Sequence, residues 1–180
     1  MKLTAKKWVA LGATEAQINQ FRAMFPHGIY FPDIGGDSGR HFTLYRMALA
    51  GLNVDWYLQK TCESGTAYCW HDNGVLRSKS RYYRSKPKPG QVASPAVVIE
   101  WDRGGNLHRV EHRLGGKLND TATEPAVKEW HPNGAVRLIE HYRRGKRCDT
   151  PKEAACREWD ADGNLLFELP YFEGEPTKNE

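Results

Sequence analysis

Histidine and acidic side chains gather at three places in this 180-residue chain. His108, Glu111 and His112 fall within five positions. Imidazoles and carboxylates so close together can ligate zinc or move protons. On a strand, however, alternation puts His108 and His112 on one face and Glu111 on the other. That splits the simplest metal or acid–base set. His141 holds the place of His112 one segment later, so the expectation is a solvated sheet face on which the two rings stack. Glu100, Glu129 and Glu158 each precede a Trp. Paired carboxylates can hydrolyse glycosides, but a residue repeated in every unit serves the unit. These glutamates are expected to pair with Arg or Lys on neighbouring strands, or to keep one face wet. The third place is the loop Asp33–Arg40, rich in Gly. It lacks the Lys-Ser/Thr ending of a phosphate-binding loop and reads as a connector capped by Asp37 or Ser38. Cys62, Cys69, Cys148 and Cys156 form no C-x-x-C pair, so reduced thiols are expected and no zinc site. No nucleophile, base and orienting group converge. The chain is read as a non-enzyme with no catalytic residues, no metal site and no cofactor.

Charge points elsewhere. The formal net charge is only +4, mild for a dedicated nucleic-acid binder, but its distribution is uneven. Arg77, Lys79, Arg81, Arg84, Lys86 and Lys88 run without an acid between them, interleaved with Tyr82 and Tyr83. Asp149, Glu153, Glu158, Asp160, Asp162, Glu168, Glu173 and Glu175 make the end of the chain acidic. The eight residues Arg77, Lys79, Arg81, Tyr82, Tyr83, Arg84, Lys86 and Lys88 are the expected partner-binding set. Cations with aromatic rings suit an acidic protein surface. They also suit phosphates and bases, so nucleic-acid binding, or mimicry by the acidic end, is the alternative.

The elements that carry these residues follow from a repeat. Trp70, Trp101, Trp130 and Trp159 fall at nearly equal spacing. Four residues after each comes Gly74, Gly105, Gly134 or Gly163, preceded by Asn, Gly or Asp. Such dipeptides suit two-residue hairpin turns. Leu76, Leu107, Val136 and Leu165 follow, and then a second glycine in three units: Gly116, Gly145 and Gly174. Each unit reads as strand, turn, strand, second turn. The run-up Pro95–Trp101 is one residue longer than Pro125–Trp130, which predicts a bulge or shifted start in the second unit. An isolated hairpin is marginal in water, so the copies must pair side by side. The Trp rings are then expected to stack as a ladder, with Tyr82, Tyr142 and Tyr171 as a second stripe interrupted by Arg113. The terminal hairpin, Phe167–Phe172, is expected to leave an open edge through which a homo-oligomer can form.

The pattern W-x-x-[NDG]-G-x-[LV], followed by G-K, resembles the MORN-type hairpin repeats over about Tyr68–Pro176. It looks closest to the longer bacterial and phage variant in which Pro-Ala-Val precedes the aromatic. Its period is longer than the standard repeat, with polar connectors such as Leu118–Glu124. The resemblance implies a single-layer β array used for protein or membrane contacts, and no catalytic centre.

Ahead of the array, the apolar period changes near Gly65. Thr14-Glu15-Ala16-Gln17 is a capping box opening a helix that carries Ile18, Phe21, Ala23 and Phe25 and ends at Pro26 and Gly28. Further helices are predicted over about Phe42–Ala50 and Val54–Lys60. The predicted fold is α+β: a helical head over 1–64, then an antiparallel β-meander of about four hairpin repeats over 65–180. Leu11-Gly12-Ala13 and Gly51-Leu52-Asn53-Val54-Asp55-Trp56 are similar to an N-terminal element of phage-encoded proteins. No apolar run approaches membrane-spanning length and no secretory leader is read, so a cytoplasmic protein without membrane contact is expected, in host cytoplasm if phage-encoded. The expected function is protein binding, as a phage or prophage accessory that inhibits a host factor such as a defence complex.

Overall fold

A computed structural model describes residues 2–30, 36–61, 63–83, 94–151, 153–172 and 175–176. The fold is α+β, with four described helices in the N-terminal third and a large antiparallel sheet after them. By internal contacts the chain divides into two compact units, 1–68 with 81–93, and 69–80 with 94–180. Tyr82 and Tyr83 thus belong with the helices, although Tyr82 ends a strand of the first repeat and Tyr83 follows it.

The helical unit begins with β1 (Lys2–Leu3), α1 (Ala5–Ala10), α2 (Glu15–Met24) and β2 (Ile29–Tyr30), with β1 and β2 antiparallel. The Thr14 capping box forms: the Thr14 amide donates to Gln17 Oε1 at 2.9 Å and the Gln17 amide donates back to Thr14 Oγ1, which satisfies two amides the helix start leaves free. Then come α3 (Gly36–Leu49) and α4 (Val54–Thr61). Helix α3 starts well before the expected Phe42, so Gly36–Arg40 are helical rather than part of a connector, while Asp33–Gly35 lie outside the described residues. The core is aromatic. Trp8 is fully buried, with Phe21 at 5.4 Å and Trp56 at 5.2 Å between ring centroids. Such rings bury large area per residue and so replace the aliphatic bulk this chain lacks.

The array contains β3 (Gly65–Trp70), β4 (Leu76–Tyr82), β5 (Val97–Trp101), β6 (Leu107–Leu114), β7 (Lys117–Leu118), β8 (Val127–Trp130), β9 (Val136–Glu140), β10 (Tyr142–Arg143), β11 (Lys146–Arg147), β12 (Cys156–Trp159), β13 (Leu165–Leu169), β14 (Tyr171–Phe172) and β15 (Glu175–Pro176). The main sheet runs β13-β12-β9-β8-β6-β5-β4-β3, so neighbours in sequence are neighbours in space. The second turns make small hairpins of their own: β6 with β7, β10 with β11, and β14 with β15.

The first turns differ from the expected two-residue form. Gly74 N–H donates to the His71 carbonyl and His71 N–H to the Val75 carbonyl, and the same two bonds recur at Asp102, His131 and Asp160. Only the glycine takes positive φ, from 82° to 88° across the four turns. This is a longer turn closed by a left-handed Gly. Its consequence is a register shift beside each of Trp101, Trp130 and Trp159, with His108, Arg137 and Leu166 the extra residues opposite. These bulges lie on the second strand of each hairpin, whereas the extra residue of the Pro95–Trp101 run-up lengthens β5, which pairs without a shift from Val97 to Glu100.

The turns also alternate in chemistry. In the first and third, the imidazoles of His71 and His131 bond the carbonyls of Trp101 and Trp159 in the next repeat. Asn73 and Asn133 likewise donate forward, to Arg103 and Ala161. In the second and fourth, Asp102 and Asp160 accept only from their own turn, which holds both carboxyls below the usual range. The repeats are tied in pairs.

Candidate partner-binding surface

Among the described residues, Trp101, Trp130 and Trp159 make no ring contact with one another. Each repeat is two strands wide, which sets equivalent positions about 9–10 Å apart, beyond the roughly 4.5–7 Å of ring pairing. Cations cover two of the rings instead: Lys128 lies 5.4 Å from Trp130 and Arg157 lies 5.2 Å from Trp159. These pairs sit two residues apart on one strand face. The tyrosine stripe is also absent. Arg147 lies 5.9 Å from the Tyr142 ring and 5.4 Å from that of Tyr171, and Tyr82 belongs to the helical unit.

The opposite strand face carries a chain of charges. Glu129 is buried and accepts from both Arg109 and Arg137. Arg109 continues to Glu111 at 2.6 Å and Arg137 to Glu158 at 3.0 Å. Five side chains thus link β6, β8, β9 and β12. The bulge puts this within reach, because it turns Arg137 toward the glutamates. Glu129 and Glu158 do pair across strands, as the recurrence of the glutamate implied, but at Glu129 that face is dry rather than wet.

His141 is buried too, against the expectation of a solvated face. Its Nδ1 lies 2.7 Å from Asp120 Oδ2 and its Nε2 3.0 Å from Glu153 Oε2. The Asp120 carboxylate, seconded by Glu153, holds the imidazole above its ordinary pKa despite burial. Glu153 is held below the usual carboxylate range, first by Arg157 at 2.6 Å and then by His141. His141 therefore stabilises the fold fully below its unfolded pKa of about 6.5, and that contribution is lost as pH rises through the folded value. Glu153 acts in the other direction, losing its contribution as pH falls through its lowered folded value. The expected result is a wild-type loss of stability as pH rises above about 6.5 that is absent in His141→Gln. Parallel pH dependence of the two unfolding midpoints would count against it. His108 is exposed and His112 half-buried, and no cluster of potential metal ligands forms among the described residues.

Of the expected partner-binding set, Arg77 and Arg81 are exposed and Lys79 is half-buried. Arg81 lies 5.5 Å from the Tyr83 ring, which is also exposed. Tyr82 leaves the set: it is 2% exposed, donates to Asp55 at 2.9 Å and accepts from Gln59 at 3.3 Å, so it is core. Arg84, Lys86 and Lys88 lie outside the described residues.

A second basic surface was not anticipated. The turn of β10 and β11 sits on that of β6 and β7: Gly145 N–H donates to the Leu118 carbonyl at 2.8 Å and Arg144 N–H to Asn119 Oδ1 at 2.8 Å. A groove of about 340 Å³ runs between them, lined by Arg113, Lys117, Leu118, Arg144 and Lys146 with Gly116 and Gly145. Lys117, Arg144 and Lys146 are exposed, and no carboxylate lines the groove. Arg144 has φ 53°, where the preceding repeat has Gly115 at 58°. A non-glycine residue there costs about 1 kcal/mol. The sequence signal was available in the two G-K pairs, Gly116-Lys117 and Gly145-Lys146, but stacking of the turns is what gathers the cations. Also missed was Asp120. Its Oδ1 accepts from the amides of Ala126 and Tyr142, and Asp149 does the same for Ala155 and Tyr171. The recurring D-T-x-x-E-x-A of Asp120–Ala126 and Asp149–Ala155 was the readable sign.

No family model, curated protein or solved structure matches this chain. No helix among the described residues is long and apolar enough to cross a membrane.

Proposed function

We propose that this protein is a non-enzymatic binding module that takes an acidic protein segment in the groove between its stacked second turns. The groove itself carries the reading. Three exposed cations, Lys117, Arg144 and Lys146, line it without a carboxylate, beside Arg113, which pairs with Glu111, and one of the three, Arg144, stands in a strained backbone position that its neighbouring repeat gives to glycine. Side chains kept at such cost cluster where they contact ligands. The shape suits an extended acidic peptide, whose carboxylates can accept from the Arg144 guanidinium and the Lys117 and Lys146 ammoniums; Arg113 is already paired with Glu111 at 2.6 Å. The MORN-type resemblance supports the same class of use. The similarity of Leu11–Ala13 and Gly51–Trp56 to an N-terminal element of phage-encoded proteins supports a role as an accessory that occupies and blocks a host factor.

The test is binding of a fluorescent Glu-rich peptide, with duplex DNA as the competing probe. Reversing Lys117, Arg144 and Lys146 to Glu is expected to weaken peptide binding about 10- to 100-fold, since each rim charge contributes about 0.5–1 kcal/mol. Added salt should weaken the wild-type complex. Folding should be unchanged, because these side chains are exposed. Equal affinity in the triple variant would remove the groove from the site. Preferential binding of DNA, with affinity falling steeply in salt, would establish the nucleic-acid alternative.

A further inference from the structure

Strand β13 closes one side of the main sheet. Its inner edge pairs with β12, and among the described residues nothing pairs with its outer edge. All five of its residues are exposed. Leu165 is 51%, Leu166 60%, Phe167 39% and Leu169 43% accessible.

The composition of this strand departs from its own repeat. The equivalent strands read Leu107-His108-Arg109-Val110-Glu111 and Val136-Arg137-Leu138-Ile139-Glu140, whereas β13 reads Leu165-Leu166-Phe167-Glu168-Leu169. Leu166 stands where the others have His108 or Arg137, and Leu169 where they have Glu111 or Glu140. Exposed edges are normally blunted by charge. Here charge is removed at the edge and retained in strands that are covered on both sides. In β6 and β9 the equivalent edge is occupied by β8 and β12, so the molecule twice shows this edge accepting an antiparallel strand.

We infer that the outer edge of β13 pairs antiparallel with β13 of a second copy, joining two sheets about a two-fold axis. The sequence is self-complementary for this. A register that sets Phe167 opposite Phe167 of the second copy places Leu166 across from Glu168, and no like charges oppose. The neighbouring register that would set Glu168 against its own copy is penalised. Head-to-tail growth is blocked at the far side of the sheet, where Gly65, Thr66 and Ala67 of β3 are buried and Leu44 and Leu58 lie against Gly65. An interface of one patch with itself closes at two copies. The association goes beyond the binding reading and uses none of the groove cations.

Sedimentation of the full chain from about 1 μM to about 1 mM spans weak and moderate association. The expected mass rises from 20.5 kDa toward twice that value. The variant Leu166→Arg/Leu169→Glu copies Arg137 and Glu140, which this fold already accommodates, and is expected to stay monomeric with an unchanged melting temperature. A wild type that remains at 20.5 kDa throughout, a double variant that dimerises equally, or a mass that climbs past two copies would each overturn the inference. Should the double variant fail to fold, Phe167→Cys replaces it. Directly opposed strand residues are close enough for a disulfide, so oxidation should trap a covalent dimer under conditions in which wild type, with its own four cysteines, gives none. No trapped dimer would overturn the pairing. Reversing the groove charges should leave the association intact, so the two proposals fail separately.

Discussion

Glu129→Ala is expected to destabilise the protein by about 3 kcal/mol. Its side chain is 4% exposed and, among the described residues, is the only carboxylate that both Arg109 and Arg137 contact. Deleting it leaves two guanidiniums facing each other across a dry strand face. Each keeps another partner, Glu111 or Glu158, and each is about a third exposed. Solvent therefore softens the penalty, which falls at the lower end for a broken buried pair. The exposed pair Arg103–Asp72, with both side chains about 70% accessible, provides the internal comparison. Asp72→Ala should cost no more than about 0.5 kcal/mol. Urea unfolding of the two variants measures both numbers. A Glu129→Ala loss as small as that of Asp72→Ala would mean the charge chain contributes nothing beyond surface pairing.

Asp120→Ala should cost about 3 kcal/mol by a different route. One carboxylate oxygen accepts from the amides of Ala126 and Tyr142, at 2.8 and 2.9 Å, and the other meets His141. Removing it orphans the amides of buried Ala126 and half-buried Tyr142 and takes the acceptor from His141 Nδ1, leaving the ring only Glu153 on its other nitrogen. Each unsatisfied group costs about 1–3 kcal/mol, partly recovered where water can enter. Asp120→Asn keeps an acceptor oxygen and should recover about half of the loss. Hydrogen exchange separates this from a general loss of stability, because the Ala126 and Tyr142 amides should lose protection more than those of β12. Uniform loss across all strands would show that Asp120 acts only through global stability. The variant should also weaken the pH dependence assigned to His141, since its first partner is gone.

Much of the architecture was legible because it is local. Spacing of Trp and Gly reports strand, turn and strand, and the four left-handed glycines sit at the four positions the pattern marked. The Thr14 capping box is likewise a matter of side chains three residues apart. Turn type was less legible. Asn-Gly and Asp-Gly allow two positive-φ residues, but here the chain uses one, and the additional turn residues shift the register beside each Trp. Helix α1 and the β1–β2 pair escaped notice because they are only six and two residues long. Elements that short take their stability from packing, as with buried Trp8, and not from a repeating pattern.

What the sequence determined by itself is the repeat: how many hairpins there are, where they turn, and that a glutamate precedes each of the last three Trp. A period of two or a glycine at a turn is a property of neighbouring residues, so it survives without knowledge of the fold. What only the tertiary structure decided is which repeated residues meet. Side-by-side packing set the Trp rings too far apart to stack, buried Glu129 and His141 among opposite charges, drew Tyr82 into the helical core, and stacked two second turns into a basic groove. Those outcomes depend on distances across strands, which no count along the chain contains.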